Sequence, residues 1–146
     1  MIKAGATLTW EHWYPHDGTH SHPWASTPAS AIASGLMGVR PLSPGWETWL
    51  IKPAPGNLTV ASIVVPTVRG SIRAKYTRSE NGGLTLELNV PEATRASVCL
   101  PLFGAPPETA KLLVDGKERS TRAEDGGRYL CVDDAGTREV QVALVM

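Results

Sequence analysis

The sequence predicts a mainly β protein, an antiparallel β-sandwich of jelly-roll-like type preceded by an irregular loop and one short helix. Three observations indicate this fold class. The 146 residues include 14 Gly and 12 Pro, which leave little room for long helices. Strand-like runs follow one another from residue 46 onward, separated about every 8 to 12 residues by turn residues. Asn81-Gly82-Gly83 and Asp115-Gly116 have the residue types that tight hairpin turns require.

The first part of the chain, residues 1–26, shows no lasting apolar period and is predicted to be loop. Thr27 then has the residue type of a helix N-cap, with Pro28 at the first helical position. The predicted helix covers residues 29–37 and ends at Gly38, a typical C-terminal cap. Four small or apolar residues share one face of this helix: Ala31, Ile32, Gly35 and Leu36. A single short helix of small residues is not stable alone, so we expect this face to pack against a partner helix.

Residues 40–45 contain Pro41, Pro44 and Gly45 and are predicted to be a connector. The clearest alternation follows residue 83, where the apolar residues of 84–90 fall on every second position. Nine strands are predicted in total: 46–51, 58–65, 71–78, 84–90, 95–100, 111–114, 118–122, 128–132 and 139–145.

The charges exclude partners that bind through bulk electrostatics. Lys and Arg number 14, as do Asp and Glu, so the net charge is zero. We therefore expect no nucleic-acid partner and no membrane partner. The first twenty residues lack a charged segment followed by an apolar run, so no secretory signal is visible and localisation stays open between extracellular and cytoplasmic.

Cys99 and Cys131 are the two cysteines of the chain, and each falls within a predicted strand. The simplest interpretation is two buried thiols. A disulfide is the alternative if the two strands are neighbours.

The span from residue 10 to residue 24 holds three of the five Trp and all four His. Glu11 lies between Trp10 and Trp13 in sequence, and a carboxylate desolvated by two indoles would have a raised pKa, which suits proton transfer. Indole rings also offer amphipathic surfaces that fit sugar rings. The stretch thus resembles one wall of a carbohydrate site, although a loop carboxylate is more often a solvated surface residue.

The histidines offer a second interpretation of the same stretch. His12, His16, His20 and His22 are imidazole donors that suit Zn, Cu or Ni. However, no His-Glu-x-x-His order is present and both Cys lie far along the chain. We therefore predict no metal and no cofactor, and loop histidines without a ligand role remain the simpler explanation for His12 and His16.

Four motifs carry a resemblance to a known family. In order along the chain, they are residues 5–13 (Gly-Ala-Thr-x-x-Trp-Glu-x-Trp), 21–24 (Ser-His-Pro-Trp), 38–46 (Gly-Val-Arg-Pro-Leu-x-Pro-Gly-Trp) and 65–70 (Val-Pro-Thr-Val-Arg-Gly). Together they resemble the C-terminal end of bacterial and fungal α-L-rhamnosidases, glycoside hydrolase family seventy-eight.

The resemblance implies that residues 1–39 are the end of an (α/α)6 catalytic barrel and that residues 40–146 are a C-terminal β-sandwich. It also implies an inverting glycosidase, in which one carboxylic acid protonates the leaving oxygen and a second carboxylate activates water. Glu11 matches the general base of the family and His22 matches its sugar-hydroxyl contact. Trp10, Trp13 and Trp24 are the candidates for the pocket wall.

The general acid of the family lies on helices upstream of the matched stretch, so this chain is expected to be inactive alone and to need the catalytic barrel in cis or in trans. The expected ligand is a rhamnose-containing glycan or glycoside. Self-association through the exposed helix face is a further expectation.

The alternative is a stand-alone, lectin-like β-sandwich without catalysis. Trp46 and Trp49 would lie on opposite faces of a strand, and both are more simply core or interface residues than sugar platforms.

Overall fold

The computed structural model of the chain describes residues 2–14, 16, 18–25 and 27–146. Its contacts divide it into two units, Met1–Ile32 and Ala33–Met146. The larger unit confirms the predicted fold class, because two largely antiparallel sheets enclose its apolar core.

The described residues of the larger unit form eleven strands in two sheets. The five-stranded sheet has the order β1-β2-β6-β10-β9, and the six-stranded sheet has the order β3-β4-β5-β11-β7-β8. The strands are β1 Arg40–Pro41, β2 Thr48–Ile51, β3 Val60–Thr67, β4 Gly70–Arg78, β5 Leu84–Val90, β6 Arg95–Pro101, β7 Lys111–Val114, β8 Lys117–Glu118, β9 Arg122–Glu124, β10 Tyr129–Val132 and β11 Arg138–Val145.

Alternation decides which side chains enter the core. In β5 the four apolar residues of the period-two pattern are all buried, while Glu87 on the opposite face is exposed. Strand β11 repeats the pattern beside it, with Val140, Val142 and Leu144 buried. The hairpin turn between β7 and β8 is also confirmed, since Asp115 and Gly116 both have positive φ, as a primed turn requires.

Two parts of the strand prediction were wrong. The chain pairs Arg40–Pro41 with Trp49 and Leu50, so part of the predicted connector is a short edge strand. The predicted strand 118–122 is two strands, because Lys117–Glu118 pairs with β7 whereas Arg122–Glu124 pairs with β10 in the other sheet. Alternation within one short run cannot show that the chain changes sheets.

The first long strand of the five-stranded sheet, β2, runs parallel to β6, an exception in the sandwich. Trp49 on β2 is fully buried, and its indole nitrogen donates a hydrogen bond to the hydroxyl of Thr94 at 3.1 Å. Trp46 is partly buried against the same core. Both indoles therefore serve packing, in agreement with the simpler of the two interpretations.

The turn before β2 is held by the turn between β3 and β4. Arg69 Nε donates a hydrogen bond of 3.0 Å to the carbonyl oxygen of Gly45. Gly45 and Trp46 both have positive φ, a conformation that costs a tryptophan energy and needs support from its surroundings. The side chain of Arg69 thus connects two of the four family motifs, residues 65–70 and residues 38–46.

The helical segment has nearly the predicted bounds but not the predicted type. An α-helical turn covers Pro28–Ala31 and continues as a π-helical turn over Ile32–Leu36, where the sequence predicted one α-helix to residue 37. Thr27 precedes the helix as expected but forms no side-chain cap hydrogen bond. Gly38 ends the segment with φ of +68°, which confirms its role as the terminating glycine.

Cys99 and Cys131 form a disulfide, so the interpretation as two buried thiols was wrong. The physical reason is the register, since the two residues lie directly opposite each other on β6 and β10. Antiparallel partners that are not hydrogen-bonded to each other bring their side chains closest. Both cysteines are fully buried. They lie outside the hydrophobic core cluster, which includes Val98 and Leu100, the chain neighbours of Cys99.

An ion-pair network lies beside the disulfide. Lys52 Nζ is 2.8 Å from carboxylate oxygens of both Glu124 and Asp125. Arg122 pairs with Glu124 and with Asp133, the latter at 3.2 Å. Glu124 Oε2 is 3.9 Å from the sulfur of Cys99, so the network borders the disulfide.

Within the described residues, no helix is long and apolar enough to cross a bilayer.

Candidate active-site loop

The smaller unit places the carboxylate of Glu11 against Thr19. The backbone amide of Thr19 donates to Glu11 Oε2 at 2.9 Å, and its hydroxyl donates to the same oxygen at 3.1 Å. The backbone amide of Glu11 in turn donates to the Thr19 carbonyl at 3.0 Å. These three contacts close the loop between residues 11 and 19 and fix the direction of the side chain, which is 18% exposed.

The surroundings of Glu11 lower its pKa, whereas the sequence predicted a raised one. The sequence predicted a raised pKa through desolvation between two indoles, but Trp13 is 80% exposed and does not desolvate the carboxylate. The backbone amide of Thr19 lowers the pKa of Glu11 most, and partial burial opposes it. The Thr19 hydroxyl and the nearby imidazoles of His22 and His12 lower the pKa of Glu11 further. Glu11 is therefore an ionised carboxylate at neutral pH.

Two imidazoles face the second carboxylate oxygen. Glu11 Oε1 lies 3.7 Å from His12 Nε2 and 3.9 Å from His22 Nε2. The structure thus brings together Glu11 and His22, which the sequence separates by ten residues. Oε2 is held by Thr19, whereas the contacts of Oε1 within the described residues are these two longer ones. The arrangement leaves one oxygen positioned to accept a proton.

The three tryptophans of the stretch differ in environment. Trp10 is buried, and its ring stacks on that of His20 with centroids 4.7 Å apart. Residues 4–8, Trp10 and His20 line a cleft of about 340 Å³. Trp13 is exposed, and the 3₁₀ turn Pro23–Ala25 contains Trp24, whose side chain lies outside the described part of the structure.

Sequence reasoning missed two residues that shape this loop. Thr19 supplies both short hydrogen bonds to the carboxylate, and Gly18 allows the close approach. A Cβ on Gly18 would lie 2.6 Å from Glu11 Oε2, and its φ of +72° also favours glycine. The Gly-Thr pair after a turn was a visible signal, but nothing in the sequence shows that its partner is Glu11.

One group of described residues has atoms of metal-ligand type close together, namely Cys99, Glu124 and Cys131. Both sulfurs are joined in the disulfide, and metal ligation by cysteine requires a thiolate. Lys52 and Arg122 already pair with Glu124. These contacts account for the group without an ion.

The two sheets of the larger unit define a β-sandwich domain. The sequence model of the family "Bacterial alpha-L-rhamnosidase C-terminal domain" matches residues 38–122, more than half of the chain. The chain therefore belongs to this family of C-terminal domains. Among curated proteins, none matches the sequence.

Three solved α-L-rhamnosidase structures share this fold. The enzyme from Dictyoglumus thermophilum matches 100% of this chain with a TM-score of 0.79 and 21% identity. The Streptomyces avermitilis enzyme, solved with L-rhamnose, matches 97% with a TM-score of 0.73 and 24% identity. The Aspergillus terreus enzyme matches 99% with a TM-score of 0.67 and 24% identity. At these identities the likeness establishes the fold.

The chain spans 17%, 14% and 15% of the lengths of these three proteins, respectively. The family match covers residues 38–122, which include strands β1 to β8, and the Glu11 loop lies outside it.

Proposed function

We propose that this chain is the C-terminal part of an inverting α-L-rhamnosidase of glycoside hydrolase family seventy-eight, which hydrolyses terminal α-L-rhamnosides. In this proposal residues 1–39 complete an (α/α)6 catalytic barrel and residues 40–146 form the C-terminal sandwich. The observation that carries it is the carboxylate of Glu11, held by Thr19 and faced by His22. The family membership of residues 38–122 supports the same assignment.

Glu11 serves as the general base in this proposal. An inverting glycosidase needs a carboxylate that removes a proton from water as the water attacks the sugar carbon. Hydrogen bonds from Thr19 lower the pKa of Glu11, so the base is unprotonated before substrate arrives. Because those hydrogen bonds occupy Oε2, we assign proton abstraction to Oε1.

His22 and the tryptophans bind substrate in this proposal. The imidazole of His22 lies within 3.9 Å of Glu11 Oε1, so a sugar hydroxyl bound to His22 would lie beside the attacking water. Trp10 contributes to the wall of the cleft that residues 4–8 line, and exposed Trp13 is proposed to extend that wall. Trp24 is proposed as a further wall residue from its place in the sequence motif alone. Each indole offers an apolar face to the C–H groups of a pyranose.

The general acid comes from the part of the enzyme outside these 146 residues. An inverting pair needs its second carboxyl about 6.5 to 9.5 Å from the base, so that one water fits between them. Loss of either partner costs on the order of 100- to 10,000-fold in rate. The isolated chain is therefore expected to show no rhamnoside hydrolysis and to require the barrel as its partner in cis or in trans.

A chimera tests the proposal. The matching segment of the Dictyoglumus thermophilum enzyme is replaced by this chain, and hydrolysis of p-nitrophenyl α-L-rhamnopyranoside is measured. The chimera should turn over, and Glu11→Gln should lower kcat by at least about 100-fold with little change in KM.

Glu92→Gln is the matched control, because Glu92 is an exposed carboxylate in the sandwich. It should leave turnover unchanged. An active chimera in which Glu11→Gln retains near-normal kcat would show that Glu11 is not the base. His22→Ala should raise KM as well as lower kcat, since a contact to the substrate is lost in both ground and transition states.

Self-association through the helix face stays a prediction. Ala31 and Ile32 are exposed, Ile32 by 51% of its surface, so an apolar strip is available in the isolated chain. Light scattering should show association that Ile32→Ser reduces. A monodisperse monomer at high concentration would contradict it.

A further inference from the structure

An open groove of about 390 Å³ lies in the sandwich between the segment after β2, the end of β6 and the start of β10. Its lining is mostly apolar and includes two aromatic rings and one guanidinium: Pro55, Pro101, Phe103, Arg128 and Tyr129. Neither the family motifs nor the Glu11 loop includes any of these residues. Small-ligand sites in proteins combine apolar walls with a few polar groups in this way, at volumes of about 300 to 1,000 Å³.

The exposed side chain of Phe103 is held by an unfavourable backbone conformation. Its φ is +50°, a conformation unfavourable for a phenylalanine, and its ring is 40% exposed. The preceding residue, Leu102, is almost fully buried, so the turn could have served packing alone with a small residue at 103. The guanidinium of Arg78 lies 3.9 Å from the centre of the ring and does not line the groove. Strain that positions an exposed aromatic ring indicates a function for the ring.

Tyr129 is the second ring, and it is also supported from outside the groove. Lys52 Nζ lies 4.6 Å from its centre, and Lys52 is fixed by the carboxylates of Glu124 and Asp125 at 2.8 Å. Because two carboxylates fix Lys52, its contact with the ring of Tyr129 restrains that ring. Both aromatic surfaces are therefore organised before a ligand binds, which lowers the entropic cost of binding.

Arg128 supplies the polar contacts. Its Nε donates to the carbonyl oxygen of Asp125 at 3.1 Å, and one terminal nitrogen is 4.0 Å from the carboxylate of the same residue. The side chain is 77% exposed, so its remaining N–H groups face solvent at the groove. A guanidinium presents several donors in a fixed plane, which suits neighbouring hydroxyl oxygens of a sugar.

The charges around the groove nearly cancel. Arg78, Lys52 and Arg128 are cationic, while Glu124 and Asp125 are anionic and are paired with Lys52. No strong field remains that would select an anionic ligand. The small volume fits one or two rings better than an extended peptide, which would need a longer series of pockets.

From these features we infer that this groove is a binding site for a neutral pyranose of a glycan, with the ring faces against Phe103 and Tyr129 and hydroxyls on Arg128. The site is separate from the Glu11 loop and does not depend on the chain being part of an active hydrolase. The sandwich therefore binds a ligand independently of the Glu11 loop.

The test is an ¹H–¹⁵N NMR titration of the 146-residue chain with methyl α-L-rhamnopyranoside, methyl β-D-glucopyranoside and methyl α-D-galactopyranoside. At least one should shift the amides of residues 54–56, 102–104 and 128–129 in a saturable manner. Phe103→Gly removes the ring and also relieves the positive φ, so the variant should fold while its affinity falls about tenfold. Arg128→Gln should weaken binding as well.

Val64→Ala is the control, since it removes an exposed apolar side chain from strand β3 and should keep wild-type affinity. The inference is overturned if none of the three glycosides shifts the groove amides at high millimolar concentration. It is equally overturned if a proline oligomer shifts them and the glycosides do not, because the groove would then be a peptide site. A result with Glu11→Gln has no bearing on it.

Discussion

Gly38 and Lys52 approach each other so closely that no side chain fits between them. A Cβ on Gly38 would lie 2.0 Å from the carbonyl oxygen of Lys52 and 2.4 Å from its carbonyl carbon. The amide of Lys52 donates to the carbonyl of Gly38 at 3.2 Å, so the contact is also a hydrogen bond. It joins the end of the helical turn to the end of β2.

Gly38→Ala should strongly destabilise the sandwich, because the clash is with backbone that cannot rotate away. Gly116→Ala is the matched control, since Gly116 has a similar φ of +75° but open space at the Cβ position. We expect about 1 to 2 kcal/mol for the control, the cost of a left-handed alanine, and at least about 2 kcal/mol more for Gly38→Ala. Urea unfolding measures both, and equal losses would contradict the close contact.

Gly18→Ala should raise the pKa of Glu11. The added Cβ would meet the carboxylate at 2.6 Å and push it away from the amide of Thr19, which lowers the pKa most. Carbon-13 NMR titration of the Glu11 carboxyl measures the change. Gly5→Ala is the control, because Gly5 has a φ of +74° and nothing near its Cβ position. An unchanged pKa in Gly18→Ala would exclude the predicted contact.

The ion-pair network should make the sandwich less stable in acid. Hydrogen bonds from Lys52 and Arg122 lower the pKa of Glu124, Lys52 lowers that of Asp125, and Arg122 lowers that of Asp133. A carboxylate with a lowered folded pKa stabilises the fold above its unfolded pKa of about 4, and this contribution is lost as pH falls through the folded pKa.

Glu124→Gln should therefore flatten the loss of stability below about pH 4, as measured by urea unfolding at several pH values. Glu87→Gln is the control, since the pair of Glu87 with Lys75 spans 3.6 Å between exposed side chains and contributes little. Identical acid profiles for wild type and Glu124→Gln would remove the network from the explanation.

Removal of the disulfide should destabilise the chain by about 3 to 4 kcal/mol, because the bond closes a loop across 32 positions. Urea unfolding of the Cys99→Ala/Cys131→Ala double variant, compared with wild type, measures this loss. The unfolded but unreduced wild-type protein should show no free thiol toward Ellman's reagent. Two reactive thiols under those conditions would contradict the pairing.

Most of the sandwich could be predicted from alternation and turn residues. Strands such as Leu84–Val90 and Lys111–Val114 have the bounds predicted from the sequence, because each faces core on one side and solvent on the other. The edge strand Arg40–Pro41 was not predictable, since two residues carry no period. The disulfide depends on the register of β6 with β10, which local sequence does not encode.

The sequence offered candidate residues for the site, but the surroundings of those residues were not predictable from it. Proximity in sequence suggested that Trp10 and Trp13 enclose Glu11, but a loop does not keep neighbours in contact. Trp10 instead stacks on His20, and Thr19 supplies the hydrogen bonds that lower the pKa of the carboxylate. The roles of Glu11, His22, Trp10, Trp13 and Trp24 in rhamnoside hydrolysis stay predictions.

Strand β11 enters the six-stranded sheet between β5 and β7, at the middle of that layer. During translation, therefore, β3–β5 and β7–β8 leave the ribosome with their facing edges unpaired until residues 138–145 have emerged. Open edges invite pairing with other nascent chains. A product that terminates before residue 138 would therefore keep both edges unpaired and be prone to aggregation instead of forming a smaller domain.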